Sequence, residues 1–150
     1  MNLKEHIRSI PDYPKKGILF RDITTLIKNE HAFIECINQI VKRSKNFKFN
    51  KISAIESRGF MFASAVSYIL KKPFVLLRKK NKLPAETHSI DFELEYGTAT
   101  MEVHKDSIDK DDTVLIIDDL IATGGTAEAA ANLIEISKGK VAGFIFVINL

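Results

Sequence analysis

The sequence predicts an α/β fold, a mainly parallel sheet flanked by helices, with a mobile hairpin and a small N-terminal segment attached. Three observations predict it. Val114–Ile117 is an unbroken, mostly β-branched apolar run, the pattern of a strand buried on both faces. Ile52–Glu56, Phe74–Arg78 and Val141–Ile148 repeat the pattern with helix-period stretches between them, so the chain orders as strand–helix–strand, hairpin, strand–helix–strand. Two of the strands run into turns suited to anions, at the carboxyl edge where open α/β sheets hold ligands.

Taken in order, Leu3, Ile7 and Ile10 have helix-like spacing, which Pro11 ends. A loop built on Pro11, Pro14 and Gly17 follows. Ile18–Thr24 is short and polar for a strand and reads as a lid or edge segment that packs Leu19 and Phe20 on the core. From about Ala32 to Lys45, the residues Phe33, Ile34, Ile37, Ile40 and Val41 make a helical stripe, with cations near its end where the helix dipole favours them. Lys45–Lys51 is a polar, basic connection.

Strand Ile52–Glu56 turns through Ser57-Arg58-Gly59 into a helix from about Phe60 to Leu70. Arginine at such a turn suits the forked geometry of a diphosphate. Strand Phe74–Arg78 ends in the cation run Arg78, Lys79, Lys80 and Lys82, closed by Pro84. A charge run is commonly a solvated face, but this one sits at a ligand-binding edge. Ala85–Val103 reads as an extended hairpin, because Thr98, Thr100 and Glu102 alternate with Ala99, Met101 and Val103. Lys105–Asp112 is a polar turn, and Lys138-Gly139-Lys140 is another before the last strand.

The central run continues as Asp118-Asp119-Leu120-Ile121-Ala122-Thr123-Gly124-Gly125-Thr126 and then enters a helix marked by Ala127, Ala130, Ala131 and Ile134. Successive amides at such a turn, with the positive end of a helix behind them, form a phosphate cradle that glycine lets a ligand approach closely. Two carboxylates beside it suit sugar hydroxyls. The chain contains neither GxxxxGK[ST] nor a GxGxxG after a strand, so it carries no P-loop and no dinucleotide fingerprint.

Composition bounds the function. The 150 residues suffice for one domain with a substantial core, and 45% hydrophobic with 27% charged residues is a globular composition. A net charge of +3 suits a small polyanion and is weak for a nucleic-acid binder. Cys36 is the only cysteine, which fits a reducing cytosol. The N-terminus is charged where a signal peptide is apolar, and no run reaches membrane-spanning length. His6, His31, His88 and His104 are scattered without metal-ligand spacing.

The stretch Thr113–Thr126 resembles the phosphoribosyl-diphosphate (PRPP) motif of the type I phosphoribosyltransferases. Residues 10–24, IPDYPKKGILFRDIT, resemble the N-terminal signature of the adenine phosphoribosyltransferases; ESRGF, RKKNKLP and Leu94-Glu95-Tyr96-Gly97 resemble further segments of that family. The resemblance covers nearly the whole chain, although the family usually continues past the residue that matches Leu150. It implies a single domain over 1–150, with a hood for base recognition at 1–30 and a flap at 79–104. It implies that Phe20 stacks on adenine while backbone groups of Leu19 and Arg21 read its edge. Arg58, Arg78, Lys79 and Lys82 would hold diphosphate, and Asp118 and Asp119 the ribose hydroxyls. Ala122, Thr123, Gly124, Gly125 and Thr126 would hold the 5′-phosphate. Mg²⁺ would accompany PRPP, touching Asp118 and Asp119 directly or through water. Glu95, on the flap, would be the acid–base group beside the purine. The implied enzyme makes AMP and pyrophosphate from adenine and PRPP in purine salvage, as a cytoplasmic homodimer without nucleic-acid or membrane partners. Two alternatives stand beside it: a 6-oxopurine (hypoxanthine, guanine or xanthine) transferase, and a PRPP-sensing regulator without catalysis.

Overall fold

The computed structural model describes residues 1–94, 97–121 and 124–149. Its internal contacts group the chain into two compact units, Met1–Lys42 and Arg43–Leu150.

In the first unit, Asn2 caps a 3-10 turn at Leu3–His6 by accepting the Lys4 amide. Strand β1, Arg8–Ile10, then pairs antiparallel with β2, Phe20–Asp22, in the register Arg8↔Asp22 and Ile10↔Phe20. The helix expected from Leu3, Ile7 and Ile10 is therefore not formed beyond one turn, and Ile18–Thr24 contains a strand after all. A long-range pair overrides the local spacing here. Asp22 decides it: its Oδ2 accepts from Arg8 Nε at 3.0 Å and from Nη2, and its Oδ1 accepts from Thr24 N at 2.9 Å and Thr24 Oγ1 at 2.7 Å. Helices α1, Thr24–Ile27, and α2, Glu30–Ser44, follow, the latter leading into the second unit. In α2 the buried residues are Ala32, Cys36, Ile37, Ile40 and Ser44, spaced as an amphipathic helix requires.

The second unit is built of β3 (Lys51–Ile55), α3 (Arg58–Leu70), β4 (Phe74–Lys79), β5 (Thr87–Leu94), β6 (Gly97–His104), β7 (Thr113–Ile121), α4 (Gly125–Ile136) and β8 (Lys140–Asn149). The sheet order is β5-β6-β4-β3-β7-β8. Strands β4, β3, β7 and β8 run parallel, and the β5–β6 hairpin adds antiparallel to β4. Alternation along β7 divides its core residues between two layers. Val114 and Ile116 pack with Ala129, Ala130, Leu133 and Ile134 of α4 and with Leu77 and Val103. Leu115 and Ile117 face the other way, where α3 lies on β3 and β7. The fold expected from the sequence is thus the fold observed.

At the amino-terminal edge of the sheet, Lys51 Nζ reaches Asp112 Oδ2 at 2.7 Å and the Ser107 carbonyl at 3.1 Å. Asp112 also accepts from Asn50 Nδ2 and the Asp109 amide. Burial alone would lower Lys51's pKa and raise that of Asp112; their mutual hydrogen bond and charge outweigh it, so Lys51 is raised and Asp112 lowered. This cluster pins the turn before β7 and leaves the opposite edge for ligands.

Candidate functional site

Strand β7 is longer than its apolar run suggests, and this changes the position of the acid pair. Asp118 and Asp119 do not stand past the strand's end but within it, since Leu120 and Ile121 continue the pairing with β8. Both acids are buried, at 9% and 6% exposure. Two carboxylates at adjacent positions on a buried strand repel each other and need a cation. Arg58, the first residue of α3, supplies one, with its Nε 2.9 Å from Asp119 Oδ2. Asp118 Oδ1 accepts the Asp119 backbone amide at 2.9 Å. Burial, reinforced by the charge of Asp119, pushes the pKa of Asp118 up to about 7.

Gly59, which the sequence did not single out, explains how α3 comes so close. A Cβ on Gly59 would lie 2.7 Å from Asp118 Oδ1 and 3.2 Å from the Ile117 carbonyl. The signal was present in the SRG triplet but read as turn chemistry rather than as close approach. The Glu56–Ser57 peptide before it is cis.

On the other side, α4 starts at Gly125 after Gly124, which has φ +89° and offers no side-chain cap. The first-turn amides of a helix lack internal partners, and their dipole favours an anion. A Cβ on Gly124 would meet nothing within 4 Å, so this glycine is required by its backbone conformation and fronts open space. One cavity of ≈ 230 Å³ joins these parts: Glu56 and Arg58 from β3–α3, Asp118, Asp119 and Ile121 from β7, Gly124 and Thr126 from the start of α4, and Phe146 from β8.

The cation run behaves differently from its sequence reading. Arg78 turns to Glu56, with Nε 3.3 Å from Oε1, and the same oxygen accepts the Lys79 amide at 2.6 Å. Arg78, Lys79 and Lys82 are not among the residues lining the cavity; Lys79 and Lys82 are exposed and Arg78 is half-buried. Glu56 is thus a link between β3 and the end of β4, which the sequence analysis did not assign. In the first unit, Leu19 is exposed rather than packed, and the Phe20 ring meets Tyr13 edge-on at 5.1 Å. Arg21 donates to Ser9 Oγ. Glu95, Ala122 and Thr123 lie outside the described residues. Among the described residues no cluster of three His, Cys, Asp or Glu side chains could cage a metal, and no helix is long and apolar enough to cross a membrane.

The acid pair, the Arg58 corner and the start of α4 thus line one cavity. The profile of the phosphoribosyl transferase domain matches residues 22–149. A relative in Pelagibacter ubique, an adenine phosphoribosyltransferase, is 81% identical over all of this chain and 86% of its own length. The chain belongs to the adenine phosphoribosyltransferase family. Another such relative, in Nitrosomonas eutropha, is 53% identical with the same coverage. Among solved structures, the adenine phosphoribosyltransferase of Thermoanaerobacter pseudethanolicus superposes with a TM-score of 0.95 at 48% identity, over 98% of this chain and 86% of that one. That of Saccharomyces cerevisiae, solved with an imino-altritol bisphosphate and adenine, superposes with a TM-score of 0.92 at 35% identity, over 99% of this chain and 86% of that one. The adenine phosphoribosyltransferase family thus has the α/β fold described above, and this chain is a transferase.

Proposed function

We propose that this chain transfers the 5-phosphoribosyl group of PRPP to adenine, giving AMP and pyrophosphate. The observation that carries the reading is the single cavity in which Asp118 and Asp119 face both the Arg58 corner and the start of α4. Such a cavity matches a ligand with hydroxyls in the middle and phosphates at both ends. The 5′-phosphate lies on the amides and hydroxyls of Ala122, Thr123, Gly124, Gly125 and Thr126, where backbone donors and helix dipole act together. The ribose hydroxyls donate to Asp118 and Asp119, whose carboxylates are both buried. The diphosphate lies at Arg58, with Arg78, Lys79 and Lys82 closing in from the end of β4. Arg78 must then exchange Glu56 for substrate.

Adenine is held by the hood, with Phe20 on its face and the backbone of Leu19 and Arg21 at its edge. In the reaction N9 bonds to the ribosyl carbon, the bond from that carbon to the diphosphate oxygen breaks, and its electron pair leaves with pyrophosphate. The proton lost from the base passes to Glu95 as the 79–104 flap closes and excludes water. The donor set fits Mg²⁺ carried in by PRPP: two carboxylates are too few for a protein cage, and Mg²⁺ commonly keeps water and phosphate oxygens as its remaining ligands. Held beside Asp118 and Asp119, Mg²⁺ would supply positive charge to the diphosphate and so favour its departure. The enzyme acts in the cytosol as a homodimer.

A chromatographic assay offering adenine, hypoxanthine and guanine in parallel, each with PRPP and Mg²⁺, tests the reading. AMP from adenine is expected, with little IMP or GMP. Preferential IMP or GMP formation selects the 6-oxopurine alternative, and PRPP binding without turnover of any base selects the regulator.

A further inference from the structure

The cavity has two chemically unlike flanks. On the side of β3 it carries Glu56 and Arg58 beside Ile55; on the side of β8 it is closed by Phe146, with Ile121 at the end of β7 next to it. Because β7 lies between β3 and β8, its carboxylates separate the two flanks. Phe146 is the β8 residue registered opposite Asp118. Its ring is backed by Phe144, parallel within 5° at a centroid distance of 5.7 Å. A second cavity of ≈ 380 Å³, lined by Phe47, Phe144 and Arg43, shares Ile121 and Phe146 with the first, so the apolar surface continues outward from the carboxylates.

Displacement at a sugar carbon places the entering and leaving groups on opposite sides of that carbon. With the diphosphate at Arg58 and the ribose on Asp118 and Asp119, the entering nitrogen comes across β7 from the side of β8. A flat heteroaromatic ring arriving there meets an aromatic wall.

We propose that Phe146, backed by Phe144 and flanked by Ile121, is a positioning residue for the purine, holding the ring in line with the breaking bond. The inference rests on the PRPP reading of the cavity. Phe146 takes no part in bond making: N9 bonds to the ribosyl carbon, the electron pair leaves with diphosphate, and the proton goes to the flap carboxylate, whatever residue forms the wall. Its effect is on the population of purine that is correctly placed.

The test compares Phe146→Ala, Phe146→Leu and Phe146→Tyr by steady-state kinetics and by calorimetry with PRPP and Mg²⁺. Loss of the aromatic face is expected to raise KM for adenine by about tenfold or more in the Ala and Leu variants, with Tyr restoring it. PRPP affinity stays within about threefold of the parent in all three, because the cradle is untouched. Adenine KM unchanged in a folded Phe146→Ala protein overturns the inference. So does loss of PRPP affinity alongside an unchanged adenine KM, which would make the ring part of the ribose floor. If the Ala variant fails to fold, Phe146→Trp supplies the second readout. The chain has no tryptophan, so the new indole is the only one. Adenine added to the PRPP-bound variant should quench it, and an indole blind to adenine in an active enzyme overturns the proposal. A parent protein that binds no PRPP overturns the reading of the cavity itself, an outcome separable from all of these.

Discussion

Gly59 and Asp118 meet so closely that no side chain fits between them: a Cβ at Gly59 would sit 2.7 Å from Asp118 Oδ1. The start of α3 is thereby pressed against the acid pair, and Arg58 is brought within 2.9 Å of Asp119. Two sequence segments separated by more than half the second unit form one site because of a missing methyl group.

Gly59→Ala tests this contact. The added methyl must push Asp118 or α3 aside, and overpacking of this kind costs about 1–3 kcal/mol. The variant should melt earlier and bind PRPP more weakly, because the Arg58–Asp119 geometry shifts with α3. Calorimetry and a thermal melt report both quantities; parental values in both would mean that the contact is slack.

Gly124→Val tests the cradle by a different route. No protein atom lies within 4 Å of the new Cβ, so steric conflict with the protein is not the cause. The cause is φ +89°, a conformation that costs a side chain about 1–2 kcal/mol or more, and the open space into which the branched group projects is where phosphate must approach. PRPP binding should be lost while the fold survives. Unchanged PRPP affinity in folded Gly124→Val protein would sink the cradle assignment.

Asp22 carries the pH dependence of the first unit. Its hydrogen bonds from the Thr24 hydroxyl and amide, and then from Arg8, hold its pKa down from 3.8 to about 2. A depressed folded value means that the carboxylate's contribution is fully present above the ordinary pKa and is lost as pH falls through the folded one. The parent should therefore lose this increment between about pH 4 and 2. Asp22→Asn should be less stable than the parent above that window, with the difference shrinking inside it. A carboxyl resonance of Asp22 titrating near its ordinary value by NMR would contradict the assignment.

Glu95→Gln tests the proton transfer assigned to the flap. Glu95 lies in sequence between Leu94 and Gly97, the paired ends of β5 and β6. The amide keeps shape but cannot accept a proton, and kcat should fall about 10²- to 10⁴-fold with PRPP binding nearly intact. A kcat within a few-fold of the parent, measured where chemistry limits turnover, would remove Glu95 from the mechanism.

The core strands and their helices were legible because their information is local. An apolar run such as Val114–Ile117 can be buried on both faces only in a covered sheet. The start of α4 was legible for the same reason: Gly124, Gly125 and Thr126 are consecutive, and the helix begins among them. Tertiary structure decided what depends on residues distant in sequence. It paired Arg8 with Asp22 and made a strand where Leu3, Ile7 and Ile10 promised a helix. It extended β7 beyond the acids, because β8 supplies hydrogen-bond partners as far as Asn149. It turned Arg78 toward Glu56, since the parallel register of β3 and β4 sets a half-buried acid beside that arginine. It also set Phe146 beside Asp118, and no spacing within one segment encodes that neighbour. Sequence alone determined which residue types could make an anion site; strand order determined which of them share a cavity, because only the sheet sets the distance between segments.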